Sequence, residues 1–263
     1  MEFDAVILAG GRSSRLGGVP KSGLIHDGAT LLEHALRAAR GAGAVAVVGP
    51  DPGALPEGVL SCREDPPYAG PAAAIAAGLA ALERDRAALE RDRAGDARRA
   101  LAAPYTLVLA CDMPRADAAV QALLHAAAAA PPGDGFVAVS ADGRRQPLTG
   151  LYGTAALQRC TAEATERGAL ENASVFALLA RLEVREVSVP EGSTDDVDTW
   201  DDASALGVTR PPDRHGSDRR EHESHEHDRR EHDSHGRASI DPGVRPGTPQ
   251  LNSTLEANGE KPG

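Results

Sequence analysis

Hydrophobic residues in this chain fall into short unbroken runs separated by longer, Ala- and Leu-rich stretches. The runs are Ala5–Leu8, Val45–Val48, Val59–Ser61, Thr106–Ala110 and Phe136–Val139; the longer stretches are Thr30–Arg40, Ala72–Leu82, Ala116–Ala130 and Thr154–Arg167. Runs of this length with no polar alternation read as strands buried on both faces, the situation created when helices cover both sides of a mainly parallel sheet. Glu183–Val189 reads as a further strand, and Thr199–Gly207 as a short closing helix with Gly207 as its stop. The expectation is an α/β domain whose ligands gather at the carboxyl edge of the sheet, where Gly11, Asp65 and Asp112 each follow a strand.

Two segments break the alternation. Leu82-Glu83-Arg84-Asp85-Arg86-Ala87-Ala88 is followed by the similar Leu89-Glu90-Arg91-Asp92-Arg93-Ala94, which reads as an extended, solvated helix lengthening one connection; a partner-binding helix is the alternative. From Val208 the chain becomes polar, and Asp218–His225 recurs almost unchanged as Asp228–His235 ahead of a Pro/Gly-rich end. Such composition offers no core, so the expected organisation is a folded domain at 1–207 and a disordered tail at 208–263. A metal-scavenging role for its histidines is the sharper alternative.

Composition narrows the partners. A net charge of −11 argues against a general nucleic-acid binder, although a local basic site can still hold a small anion. Aromatics are 3% of the chain, so the core must be aliphatic. Cys62, Cys111 and Cys160 show neither a close pair nor zinc-like spacing, which fits a reducing compartment, the cytoplasm by default. The first apolar run is too short for a signal peptide or a membrane span.

The chemistry concentrates where runs end. Ala5–Leu8 flows into Ala9-Gly10-Gly11-Arg12-Ser13-Ser14-Arg15-Leu16-Gly17-Gly18-Val19-Pro20-Lys21, a strand feeding a glycine loop in which backbone N–H groups can approach an anion while Arg15 and Lys21 bring positive charge. It is not a P-loop, because Val19-Pro20 separates Gly18 from Lys21 and Pro20 has no N–H to donate. Glu64-Asp65-Pro66-Pro67-Tyr68-Ala69-Gly70-Pro71 opens a helix after another strand, and its acids could equally serve a helix N-terminus. Leu107–Ala110 leads through Cys111 to Asp112-Met113-Pro114, where a strand-end carboxylate facing a triphosphate loop suits Mg²⁺, and a cap is the alternative. Arg144-Arg145-Gln146-Pro147-Leu148 with Tyr152, and Asp195-Asp196-Val197-Asp198-Thr199-Trp200-Asp201-Asp202, complete the set. The second of these could also be a helix start rich in capping acids.

The Leu8–Lys21 stretch matches Leu-Ala-Gly-Gly-x-Ser-x-Arg-[Leu/Met]-Gly-x-x-x-Lys, and with it the chain resembles the molybdenum cofactor guanylyltransferases over about residues 3 to 206. The resemblance implies a three-layer, Rossmann-like, mainly parallel sheet of the nucleotide-diphospho-sugar transferase type. It implies a Mg²⁺-dependent nucleotidyltransferase that moves GMP from GTP onto the molybdopterin form of molybdenum cofactor, releasing pyrophosphate. Leu8, Ala9, Gly10, Gly11, Ser13, Arg15, Lys21, Asp65 and Asp112 would bind the nucleotide, with Arg15, Lys21 and Asp112 catalytic. Gln146, Pro147, Asp196 and Asp198 would border the acceptor, and Asp112 and Asp198 would hold the metal. Partners would be GTP, molybdopterin and, transiently, the proteins that deliver and collect the cofactor. One departure stands out: some family members carry Asn after the second strand, where this chain has Gly49. A related transferase using CTP or a sugar phosphate, and a non-catalytic carrier using the His-rich tail, are the alternatives.

Overall fold

The computed structural model describes residues 1–50, 54–92 and 102–211. The tail expected from sequence lies, beyond Pro211, outside the described residues. Seven strands form the central sheet: β1 (Phe3–Leu8), β4 (Val45–Val48), β5 (Val59–Cys62), β6 (Tyr105–Ala110), β7 (Gly135–Val139), β8 (Arg145–Gly153) and β9 (Val184–Ser188), in the order β5-β4-β1-β6-β8-β7-β9. β8 alone runs antiparallel to its neighbours; the other pairings are parallel. A small antiparallel sheet is built from β2 (Ile25–His26), β3 (Ala29–Thr30) and β10 (Val208–Thr209). Val208 and Thr209, which composition groups with the tail, therefore pair with Ile25 and His26.

Alternation along β1 explains the layers. Phe3, Ala5 and Ile7 face a core shared with α1 (Leu31–Ala38) and α3 (Ala116–Ala129). Val6 and Leu8 face a second core with α2 (Pro71–Asp92), α4 (Thr154–Glu166) and α5 (Val175–Leu179). Both faces being covered, a strand with no polar side-chain row is what burial selects. Gly78 lets α2 settle onto this sheet, since a Cβ there would sit 2.4 Å from Val6 Cγ1. A third cluster, Leu16, Leu24, Leu31, Val197, Ala203 and Val208, fastens the glycine loop and α6 (Trp200–Ala205) to the small sheet.

The charged repeat is not simply solvated. α2 continues through it to Asp92, with Leu82 buried and Arg86 only 7% exposed and ion-paired to Asp4 on β1. Asp4 also accepts hydrogen bonds from the backbone N–H of Ala44 (3.0 Å) and Ala103 (3.3 Å). This repeat thus anchors the helix at the amino edge of the sheet, opposite the loops that carry the chemistry.

Candidate active site

Three segments meet at the carboxyl edge. β1 ends at Leu8, and the loop after it bonds back to its neighbours: Ala9 N–H donates to Val48 O (2.8 Å) and Cys111 N–H to Leu8 O (3.0 Å). The chain then turns through Ser13, held at φ 43°, and Lys21 returns toward the sheet. Asp112 follows β6 after Cys111, and its carbonyl accepts from Val197 N–H (3.1 Å). That bond delivers the Asp196–Asp198 segment to the same place, and a capping box between Thr199 and Asp202 fixes its exit into α6.

At the junction Lys21 Nζ donates to Asp112 Oδ2 (2.9 Å) and Asp198 Oδ1 (2.5 Å), while Arg15 Nη1 lies 3.5 Å from Asp198 Oδ2. Ligand oxygens of Asp112, Asp196 and Asp198 lie within 4.8 Å of one another. Burial works against the Lys21 ammonium, but the charge of Asp112 and the hydrogen bonds to Asp198 and Asp112 outweigh it and raise its pKa. Asp196 is also raised, by loss of solvent and then by repulsion from Asp112 and Asp198. Three carboxylates against two cations leave the cluster with residual negative charge, and a set of hard oxygen donors suits a divalent ion such as Mg²⁺. Asp196, placed on the acceptor side from sequence, stands in the same carboxylate cluster as Asp112 and Asp198.

Two cavities flank this cluster. One, of about 250 Å³, is lined by Leu8, Gly10, Gly11, Lys21 and Asp112, with Glu64 and Tyr68 from the loop before α2. The other, of about 520 Å³, is lined by Gln146, Asp196 and Asp198, with Ser140, Asp142 and Arg144. The chain's arrangement therefore joins a glycine-loop pocket to a polar pocket through an acidic junction.

The family model for the MobA-like NTP transferase domain matches residues 5–184. The chain belongs to this family. As a MobA-like domain it is a nucleotidyltransferase by kinship, and solved structures share its fold. Molybdopterin-guanine dinucleotide biosynthesis protein A from Archaeoglobus fulgidus is 18% identical over 78% of this chain and 96% of its own, with a TM-score of 0.50. Rv0371c from Mycobacterium tuberculosis is 25% identical with the same coverages and a TM-score of 0.51. The 2-C-methyl-D-erythritol 4-phosphate cytidylyltransferase from Francisella tularensis is 13% identical over 78% of this chain and 98% of its own, at 0.51. None of the curated proteins matches the sequence.

Within this MobA-like domain the expected site residues do not all meet. Ala9 is buried behind the loop, while Ser13, Arg15 and Asp65 stand outside the first cavity's lining, although Arg15 reaches Asp198. Asp65 is exposed, and its neighbour Glu64 takes the place in the wall. Pro147 is outside the second cavity's lining; its carbonyl accepts from the Tyr152 hydroxyl (2.8 Å). Tyr152 itself is fully buried, its hydroxyl pKa pushed up by burial, so it supports the Gln146 segment from the core instead of facing an acceptor. Gly49 has a positive φ of 157°, and a Cβ there would lie 2.8 Å from Ala9 C and Gly10 N. The loops after β1 and β4 consequently touch through backbone alone, and an Asn at this position would force them apart. Sequence reasoning missed Glu64 because two adjacent acids follow β5 and only the turn's geometry decides which one faces inward. Among the described residues no helix is long and apolar enough to cross a membrane, and the three cysteines are free.

Proposed function

We propose that the protein transfers the GMP unit of GTP to the terminal phosphate of the molybdopterin form of molybdenum cofactor, giving its guanine dinucleotide form and pyrophosphate. The observation that carries this reading is the junction itself: Asp112, Asp196, Asp198 and Lys21 sit between a glycine-loop cavity and a second, polar cavity that contains Gln146. A reaction joining two anions needs that layout, with one pocket for each partner and charge control where the bond forms.

In this reading the triphosphate lies along Gly10 and Gly11 and takes charge from Lys21 and Arg15, while Gln146, Asp196 and the Pro147 turn border the acceptor. The acceptor phosphate monoester is anionic near neutral pH, so the site needs neither a side-chain nucleophile nor a strong base. The adjacent thiol suits that scheme, because burial, and then the charge of Asp112, holds Cys111 protonated well above the ordinary thiol range. Asp112 and Asp198, joined by Asp196, would hold Mg²⁺, which when bound neutralises charge on the transferring and leaving phosphates. Lys21 orients the triphosphate for in-line attack, and positioning supplies much of the acceleration. GTP and molybdopterin are thus the small-molecule partners, with transient contacts to the proteins that deliver and collect the cofactor. A reducing, cytoplasmic setting accords with the free thiols. The catalytic unit is the domain that precedes the tail, so a chain ending at Pro211 keeps its turnover, because every residue named lies upstream.

The test is pyrophosphate release from each of the four nucleoside triphosphates with Mg²⁺ and the molybdopterin form of molybdenum cofactor as acceptor. Release with GTP that depends on the acceptor is expected. CTP as the better donor would reassign the protein as a cytidylyltransferase, and no release with any donor would overturn the reading.

A further inference from the structure

Strand β8 walls both cavities, and it does so where its pairing with β7 breaks. Val137 on β7 faces Gly150, and the next β7 residue, Ala138, faces Gln146, so Pro147, Leu148 and Thr149 have no β7 partner and form a bulge. Pro147 has no N–H to give a ladder, which confines it to such a place. Gln146, at the edge of the bulge, lines the polar cavity; Leu148, within it, lines the glycine-loop cavity. Bulges beside functional sites re-aim side chains, and this one sends two near neighbours into two different pockets.

The bulge is held from beneath. Tyr152 is fully buried in the second core, against which Leu148 also packs. Its hydroxyl donates to Pro147 O at 2.8 Å, and burial keeps that hydroxyl protonated. Room for the ring comes from Gly150, on the same face of β8, where a Cβ would overlap Tyr152 Oη and Cζ. Phenylalanine would fill this space equally well, so the buried phenol answers to its bond with Pro147 and not to packing. At the other end of the bulge Thr149, also fully buried, donates through Oγ1 to Met113 Sδ (3.3 Å), beside Asp112.

We propose that Tyr152 is a positioning residue for the transfer step: by pinning the Pro147 carbonyl it fixes the bulge, and with it the spacing between the substrate against Leu148 and the substrate against Gln146. In that step an acceptor phosphate oxygen bonds to the α-phosphorus of the donor as the bond from that phosphorus to pyrophosphate breaks, the electron pair leaving with pyrophosphate. The attacking oxygen must stand in line with the breaking bond, and a strand that walls both pockets sets how far apart the two substrates lie. A misplacement of about 1 Å, caused far from the reacting atoms, is enough to slow such a reaction by about a hundredfold. Neither pocket has to lose affinity for this to happen. The inference rests on the proposed function in that each cavity takes one of two reacting substrates, and it adds a residue that touches neither.

The test is Tyr152→Phe, which keeps the ring beside Gly150 and removes the hydroxyl, in the full chain with GTP, Mg²⁺ and the molybdopterin form of molybdenum cofactor. Pyrophosphate release gives kcat and the acceptor KM, and calorimetry without acceptor gives the GTP Kd. Turnover per folded molecule should fall by at least about tenfold, while the acceptor KM and the GTP Kd stay within about threefold of wild type. Thr106→Val is the control. It removes another buried bond, between Thr106 Oγ1 and Thr154 Oγ1 (2.9 Å), on the neighbouring strand at the level of Tyr152 and outside the lining of both cavities. It should lower the urea midpoint as Tyr152→Phe does and leave kcat as in wild type. An unchanged kcat in Tyr152→Phe, with wild type active, would overturn the inference alone and leave the tyrosine a core residue. An equal fall in the two variants would do the same, as would a loss carried by KM or Kd with kcat intact. Wild type that shows no acceptor-dependent release would overturn the proposed function and this inference with it.

Discussion

Strand β1 meets charge at both of its ends, and the two encounters differ in kind. At the amino edge Asp4 and Arg86 are both under 10% exposed, and the two oxygens of Asp4 are taken up by Arg86 and by the N–H groups of Ala44 and Ala103. At the carboxyl edge Lys21 and Arg15 face three carboxylates, and Asp198 and Arg15 remain open to solvent. One carboxylate with all its donors supplied is a fastening. Three carboxylates with too few cations are a place prepared for something else. α2 spans the two: Pro71 lines the glycine-loop cavity, and Arg86, about 22 Å further along at the α-helical rise, reaches Asp4.

The largest effect should come from breaking the closed pair. Arg86→Ala leaves Asp4 as a buried charge without its counter-ion and should lower stability by about 3–5 kcal/mol. Turnover per folded molecule, measured below the new urea midpoint, should be unchanged, since no site residue moves with it. A urea midpoint equal to that of wild type would show that the pair is not a fastening.

The open cluster should respond in the opposite sense. Asp112→Ala should lower turnover by at least about a hundredfold, a transition-state loss of about 2.7 kcal/mol. Its urea midpoint should hold or rise, because one of three crowded carboxylates is gone. Lys21→Ala should cost turnover to a similar degree but lower the midpoint, because the carboxylates lose the cation between them. Turnover close to wild type in either variant would remove that residue from the machinery.

This contrast also explains what the sequence could disclose. The strands β1, β4, β6 and β7 were legible because burial on both faces leaves unbroken apolar runs, and Gly10, Lys21 and Asp112 were legible because they follow such runs. Asp196 and Asp198 could be found as a motif, but their approach to Asp112 depends on the Val197–Asp112 backbone bond, which no local pattern announces. β8 was missed because Arg145, Gln146 and Pro147 at its start resemble a loop, and the two-residue strands of the small sheet are too short to show a period. Arg86 was hidden for the same reason as Glu64. Charged residues in a charged stretch carry no mark of which one turns inward, and only a partner distant in sequence, such as Asp4, selects it.

A finer version of the comparison lies in two capping boxes of the same design. Thr30 and Glu33 start α1, and Thr199 and Asp202 start α6, each hydroxyl accepting from the backbone N–H three residues on, at 3.1 and 3.2 Å. Only the second adjoins the acidic cluster, where Asp202 Oδ2 also accepts from Asp198 N–H at 3.2 Å. Thr30→Ala and Thr199→Ala should each cost about 1 kcal/mol in urea unfolding. The Thr30 deficit should shrink in acid. Glu33 is held below its ordinary pKa by the Thr30 backbone N–H and then by its hydroxyl, so that stabilisation is present above the ordinary glutamate range and is lost as pH falls through the lowered native value. Turnover separates the pair: Thr199→Ala should lose about tenfold, as residues that orient a ligand-bearing segment do, while Thr30→Ala should lose none. Equal turnover in the two variants would mean that Asp198 is positioned by Lys21 and the Val197 bond alone, and that the cap at α6 serves only the helix.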